Sequence, residues 1–378
     1  MYSGVHRVVA LGSFCYFFTN ETRETMKSSF AVCALGVVIC PALLVSAITA
    51  DGGPCDITGQ AGSPCVAAHS TVRALYASYD GPLYDVTRAS DGRTMNVSVL
   101  QPGGFANITL HDEFCVNSDC VISHVFDQSP QRNHLYQRHQ LVNASRHKIF
   151  VGDDVPVYGM WFDPGYGYHT DHTTGIATGN DPESIYAVMS GTRDFLGKGC
   201  CFDYGNSENS IVARNESDGA GAMEAIYFGN THWQGNTGDN TTMNGPWVGA
   251  DLEAGMYYGG GNQTKVNMRN KPLPFPFVTL YLRGRTDGFA LKGGDATHGT
   301  LTTMYDGPRP YCSIAGTCDR HKNSTYTPSY QPMHKQGAII LATGGDMSNS
   351  AVGNFYEGKR FFWCLPCRVE LRLFISFW

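Results

Sequence analysis

Gly337-Ala338-Ile339-Ile340-Leu341-Ala342-Thr343-Gly344-Gly345-Asp346 is a short apolar run that breaks at a double glycine and ends on an acid. Its apolar part, Gly337 to Leu341, has the length and side chains of a buried strand, and the glycines read as a turn. The same grammar recurs along the chain. Thr71 to Tyr76, Ser184 to Met189, Glu224 to Phe228 and Phe277 to Leu282 are short and rich in β-branched, aromatic or other apolar residues, and Gly, Asn, Asp and Pro separate them. Long amphipathic helices are not evident. The pattern predicts an all-β chain, a two-sheet β-sandwich with long loops. No Pro/Ser/Thr-type linker divides residues 51–360, which are expected to form one domain.

Composition agrees. The 378 residues include 44 Gly, 20 Tyr and 20 Phe, while only 16% are Asp, Glu, Lys or Arg. This is the balance of a turn-rich β protein with polar, uncharged surfaces rather than a helical bundle or a disordered chain. The net charge of −6 argues against nucleic acid or an anionic membrane as partner. There is no fixed-period repeat, coiled-coil heptad or phosphate-cradling glycine loop.

The first fifty residues read as a leader. Residues 1–25 precede a plausible initiator, Met26, and are expected to be an extension. From Met26, Lys27 is followed by an apolar run from Phe30 to Val45 and then by Ser46 and Ala47. That is the charged, apolar, small-residue order of a signal peptide over residues 26–50. The run is too short, and Asp51 too close, for a membrane anchor. Cys15, Cys33 and Cys40 belong to this region, and removing them from thirteen cysteines leaves an even ten. An even count suits a disulfide framework in an oxidising compartment. Close spacing suggests local bridges for Cys55 with Cys65, Cys115 with Cys120, Cys312 with Cys318, and Cys200 with Cys201. Sequons at Asn96, Asn107, Asn143, Asn215, Asn240, Asn262 and Asn323 point the same way. Together these features predict a secreted, glycosylated, extracellular protein. Cys364-Leu365-Pro366-Cys367 has the spacing of a redox or zinc knuckle, but no second Cys/His pair accompanies it, and no metal is expected.

Two segments carry candidate chemistry. In Gly199-Cys200-Cys201-Phe202-Asp203-Tyr204-Gly205, adjacent cysteines can bond to each other only through a small ring. Such a ring makes a sulfur ledge suited to a small polar ligand with an apolar face, such as a sugar. Two ordinary bridges, or two buried thiols, are equally open. In Trp247-Val248-Gly249-Ala250-Asp251-Leu252-Glu253, a strand puts Asp251 and Glu253 on one face and Leu252 in the core. Neighbouring acids repel, which raises one pKa and separates their roles. Asp346 sits at the mouth of a second strand, where glycines let a ligand approach the backbone. Two carboxylates from different strands are the minimum for glycoside hydrolysis. A calcium site and solvated acids at strand ends are the plainer alternatives. Glu224 is a rival acid within its own strand.

Taken together, these residues resemble a known family. Gly53-Pro54-Cys55-Asp56, His69 to Tyr76, Asp127-Gln128-Ser129 with Asn133-His134-Leu135, Cys200 to Gly205, Met223 to Gly229, Asp251-Leu252-Glu253, Gly337 to Asp346 and Phe355-Tyr356-Glu357-Gly358 occur in the same order as in the family 54 glycoside hydrolases, the α-L-arabinofuranosidases of the B type. The resemblance covers residues 53–358. It implies a concanavalin-like, jelly-roll sandwich and a retaining enzyme that releases terminal α-L-arabinofuranosyl units from arabinan, arabinoxylan and related polysaccharides and oligosaccharides. It also implies a monomer working without a cofactor. Glu253 would be the nucleophile and Asp346 the general acid and base. Asp251 would hydrogen-bond sugar hydroxyls, Trp233 would stack on the sugar, Cys200–Cys201 would pack against the furanose, and Gly345 would give a backbone contact. The family's bridges match Cys55–Cys65 and Cys115–Cys120. On this reading Glu224 becomes structural.

The chain departs from the family in three places. Ala254 stands where the family usually has a sugar-contacting Asn. An insertion carries Cys312, Cys318 and Asn323. The resemblance stops after Gly358, with residues 361–378 expected as an aberrant tail in place of the last sandwich strand and an arabinose-binding β-trefoil. The alternative function is therefore a truncated, inactive, sugar-binding sandwich.

Overall fold

Two antiparallel seven-stranded sheets dominate the fold. The computed structural model describes residues 52–152, 154–194, 199–209, 220–230, 245–253, 255–259, 267–310 and 330–362. The first sheet runs in the order Cys65–Ser70, Gly353–Phe362, Glu183–Met189, Val278–Gly284, Gly288–Asp295, Thr302–Pro308, with Met160–Phe162 also paired to Gly353–Phe362. The second runs Met256–Tyr257, Trp247–Asp251, Glu224–Gly229, Asp203–Ser207, Ala338–Leu341, Tyr168–Thr170, Tyr136–Gln137. A three-stranded sheet (Thr94–Ser98, Pro82–Arg88, Cys120–Val125), a two-stranded one (Lys148–Val151, Val155–Tyr158) and the short helices Pro54–Gln60 and Ile108–Phe114 complete the described elements. The expected all-β sandwich is borne out, and four of the five quoted strands recur with ends shifted by a residue or two.

The fifth, Thr71 to Tyr76, is not a strand. The chain leaves Cys65–Ser70 at Ser70, whose Oγ accepts the N–H groups of Val72 and Arg73, both at 3.1 Å. A hydroxyl that captures the next amides competes with a ladder. Beyond it, Ala74 N–H bonds Gly104 O and Leu75 N–H bonds the Gln128 side chain, so these backbone groups are satisfied outside any sheet.

Alternation along each strand builds the core. Tyr204, Ile226, Phe228, Val248, Ala250, Ile339 and Leu341 of the second sheet, with Leu252 just past its strand, join Leu280, Leu282, Leu291 and Phe355 of the first in one apolar cluster. Tyr204 packs on Phe355 with ring centroids 5.3 Å apart, and its hydroxyl meets His69 Nδ1 at 2.9 Å.

Charge also crosses the core. Glu224 pairs with Lys335 at 2.8 Å and with Arg309 at 3.3 Å, and Lys335 reaches Glu183 at 3.0 Å. Glu183 in turn bonds Arg360 and, at 3.0 Å, Asn206. Burial alone would lower the Lys335 pKa, but the charges of Glu183 and Glu224 outweigh it and raise it.

The strand Gly353–Phe362 corrects the expected end of the domain. It continues past Gly358 to Phe362 and lies inside the first sheet, between Cys65–Ser70 and Glu183–Met189. Phe361 is 1% exposed, and Lys359 Nζ donates to Pro54 O. These residues belong to the sandwich because the ladder and the core both need them. Cys312, Cys318, Asn323, Cys364 and Cys367 lie outside the described residues.

Candidate active site

The outer face of the second sheet, away from the first, carries the acids. Strand register puts Asp203, Tyr227 and Gly249 in one row, and Gly205, Ala225 and Asp251 in the next. With side chains alternating, both rows point the same way. Gly205 lets the Ala225 strand pack close, and the Tyr258 ring covers Gly249.

The strand ends at Asp251, and Glu253 follows in a turn with φ +58°. Leu252 remains fully buried in the core. Asp251 Oδ1 accepts the Glu253 N–H at 3.1 Å, and the turn closes through Leu252 N–H to Gly255 O. Glu253 thus shares the face of Asp251, as an extended strand would have it, but reaches it through a left-handed residue.

Asp346 arrives from the turn after Ala338–Leu341. Ser348 N–H bonds Asp346 Oδ1 at 2.9 Å, and Gly344 N–H bonds Ser348 O at 2.8 Å. Arg138 donates to Gly345 O at 2.8 Å and holds the turn from outside. The turn folds back over the sheet. A β-carbon on Gly345 would overlap the Glu208 carboxyl and lie 3.3 Å from Ser207 Cβ. Glycine is required here by close approach rather than by φ.

Cys200 and Cys201 are bonded to each other, as are Cys55 with Cys65 and Cys115 with Cys120. The adjacent pair is buried with Tyr227, Trp247, Met256 and Tyr258. Asp251 Oδ2 lies 3.5 Å from Cys201 Sγ, and Ser348 Oγ lies 3.4 Å from the same sulfur. The disulfide therefore sits between the Asp251 strand and the Asp346 turn. The group Cys200, Cys201, Asp203 and Asp251 has donor atoms within 4.8 Å of one another. Bonded to each other, its sulfurs offer no thiolate, and two carboxylates are what remains for a cation.

Electrostatics separates the acids. Burial, and then the charge of Asp251, push Asp203 well above the usual carboxylate range, with Asp346 and Glu253 adding to it. Burial, and then Glu253, raise Asp251. Burial, and then the nearby carboxyl of Glu253, raise Glu208, and neither Glu208 oxygen finds a donor side chain. Like charges this close cannot all ionise, so protons are retained. As a carboxylate, Asp203 finds no donor for either oxygen; as an acid, it donates to Asp251.

Of the residues singled out from the sequence, Cys200, Cys201, Asp251, Glu253, Gly345 and Asp346 come together here. Trp233 and Ala254 lie outside the described residues. Glu224 points to the opposite side of its strand, into the ion pairs between the sheets. Asp203, Glu208, Ser348 and the aromatic bed of the disulfide were not singled out. Asp203 was readable, because it shares strand parity with Cys201. Glu208 was not, because it follows the strand end at Ser207 and only the tertiary turn brings it to Gly345 and Glu253.

The chain is similar to known proteins. The family model described as alpha-L-arabinofuranosidase B, catalytic, matches residues 54–361. The probable alpha-L-arabinofuranosidase B of Aspergillus terreus is 41% identical over 341 residues, 86% of this chain and 60% of that protein. The alpha-L-arabinofuranosidase B of Emericella nidulans is 41% identical over 348 residues, 88% of this chain and 62% of that protein. The chain thus spans about three fifths of the length of these relatives. A crystal structure of an arabinofuranosidase complexed with arabinofuranosyl-α-1,2-xylobiose superposes with a TM-score of 0.75 at 36% identity, covering 86% of this chain and 65% of that one. A GH54 α-L-arabinofuranosidase soaked with a cyclic sulfate inhibitor matches with the same figures.

Proposed function

The chain belongs to the alpha-L-arabinofuranosidase B catalytic family, and on that premise we propose that it is a secreted retaining glycosidase releasing terminal α-L-arabinofuranosyl residues from arabinan, arabinoxylan and related oligosaccharides. The observation that carries this reading is the convergence of two chain segments. Glu253 is bonded through its N–H to Asp251, which lies 3.5 Å from Cys201 Sγ, and Asp346 accepts the N–H of Ser348, whose Oγ lies 3.4 Å from the same sulfur.

In the first step Glu253 attacks the anomeric carbon while Asp346 gives its proton to the departing glycosidic oxygen. The C–O bond to the leaving group breaks, and an arabinosyl ester forms on Glu253. In the second step Asp346, now a carboxylate, takes a proton from water. That water attacks the anomeric carbon, releases arabinose and restores both groups. Asp251 accepts hydrogen bonds from the sugar hydroxyls. The disulfide packs on the apolar face of the furanose, and Gly345 gives it a backbone contact beside Asp346. The solved relative bound to arabinofuranosyl-α-1,2-xylobiose supports a furanosyl side chain as the unit recognised.

Secretion is supported by the three disulfides among the described residues and by the exposure of Asn96 within its sequon. The test is release of 4-nitrophenol from 4-nitrophenyl α-L-arabinofuranoside by the secreted chain, with Glu253→Gln and Asp346→Asn beside it. Activity that collapses in both variants supports the enzyme. A folded parent that binds arabino-oligosaccharide without turnover would make it a sugar-binding module instead.

A further inference from the structure

Glu208 is the acid the mechanism leaves unused. It is fully buried. Apart from the carboxyl of Glu253, no side chain among the described residues donates to either of its oxygens. Its own backbone N–H is near it, but one amide does not offset full burial beside two other acids, so leaving it charged is costly. A proton resolves it, since the acid then has one hydrogen to give and Glu253 has oxygens to receive it.

The surroundings fix the direction of that bond. Gly345 lies so close that its missing β-carbon would fall on Glu208 Oε2, and would stand only 2.8 Å from Cδ. Asn209 N–H is held by Gln336 at 3.0 Å, and the Ser207 hydroxyl is turned to the Glu208 backbone carbonyl at 3.2 Å, so neither serves the carboxyl. The charges that act on Glu208 are those of Glu253 and Asp251, both acids. Arg138, which holds the Asp346 turn, donates to Gly345 O at 2.8 Å, meets His169 Nδ1 at 3.1 Å and approaches Asp171 at 3.7 Å.

We propose that Glu208 is a positioning residue that stays protonated and donates a hydrogen bond to the Glu253 carboxylate, holding the nucleophile ionised and aimed. The proposal rests on the reading of Glu253 as nucleophile. Two carboxylates in contact share a proton, and the residue that keeps it decides which one can attack. With Glu208 neutral, the negative charge resides on Glu253. Because Glu208 also lies under Gly345, it fixes the distance between the nucleophile's turn and the turn that bears Asp346. No proton leaves Glu208 during turnover.

The experiment compares Glu208→Gln and Glu208→Ala with the parent. Glutamine keeps the size and an N–H donor, whereas alanine removes both. The Ala variant is expected to lose roughly 10- to 100-fold in kcat, with KM little changed, the range of one charge-assisted hydrogen bond. Its acid limb of kcat/KM should move to higher pH, because Glu253 then lacks its donor. Gln should recover most of the lost kcat and return the acid limb. Infrared spectra of the folded parent and the Gln variant give a readout independent of turnover. The carbonyl stretch of a buried protonated carboxyl should be present in the parent at neutral pH and diminished in Glu208→Gln. Loss of kcat in Gln equal to that in Ala, an acid limb unmoved in Ala, or an undiminished carboxyl band would overturn the proposal. An inactive parent whose band diminishes in Glu208→Gln overturns the glycosidase reading alone and leaves the proton on Glu208.

Discussion

The Oδ1 of Asp251 accepts the backbone N–H of Glu253 at 3.1 Å and holds Glu253 at φ +58°. A left-handed glutamate costs on the order of 1–3 kcal/mol and persists only where neighbours over-determine it. Asp251 therefore has two tasks, framing the turn and, on our reading, binding the sugar. Asp251→Ala should lower kcat/KM at least about 100-fold, since both are lost. Asp251→Asn keeps an oxygen for the Glu253 amide and should recover part of it. Equal losses in steady-state kinetics would mean the backbone bond is incidental.

Gly345→Ala tests the fit of the Asp346 turn. The new methyl would enter the space of the Glu208 carboxyl, and both are buried, so the turn must lift. Overpacking of this kind costs about 1–3 kcal/mol. The expected result is a modest fall in melting temperature and a fall in kcat of roughly tenfold or more, because a displaced acid protonates poorly. A variant with parental kcat would show that the turn tolerates the shift.

Glu224→Gln separates the rival acid from the site. It leaves buried Lys335 with Glu183 as its carboxylate partner and takes from buried Arg309 the carboxylate it meets. Breaking a buried pair costs about 3–5 kcal/mol, a drop of roughly 5–10 °C at this size. Because Glu224 faces the gap between the sheets, kcat per folded molecule should stay near the parent's. A collapse of kcat without loss of stability would return Glu224 to the list of catalytic acids.

Asp203 sets a pH dependence of stability. Burial first, then Asp251, raise its pKa in the folded state. Between the unfolded value and the raised folded value, the folded state binds more protons, so stability falls as pH rises through that window. Asp203→Asn cannot ionise in either state and removes the penalty. Melting temperature at neutral pH should rise by roughly a few degrees, with the gain vanishing toward pH 4. A gain independent of pH would mean the proton is not the cause.

The disulfide invites a kinetic test. Replacing Cys200 and Cys201 together by alanine removes the sulfur between Asp251 and Ser348. If the furanose packs there, KM should rise roughly tenfold or more, by the loss of an apolar contact, while kcat falls less. An unchanged KM would place the sugar elsewhere.

Alternating short apolar segments, Gly-rich turns and the local order of Cys200-Cys201, Asp251-Leu252-Glu253 and Gly344-Gly345-Asp346 were enough to read a β-sandwich and its candidate acids. Those signals are local: period two along a strand, and turn chemistry over a few residues, are written in neighbouring letters. What lay beyond them depended on which strands meet. Thr71 to Tyr76 looks like a strand, but Ser70 and Gln128 claim its amides. Glu224 looks like a site acid, but its strand parity turns it toward Lys335 and Arg309. Glu208 carries no pattern of its own, and the fold alone seats it between Gly345 and Glu253. The sequence by itself determined that the chain is built of short strands and tight turns and offered Asp251, Glu253 and Asp346 as candidate acids, because strand period and turn chemistry are local. Only the tertiary structure decided which acids keep their protons, since desolvation and like charge act through space between residues far apart in the chain.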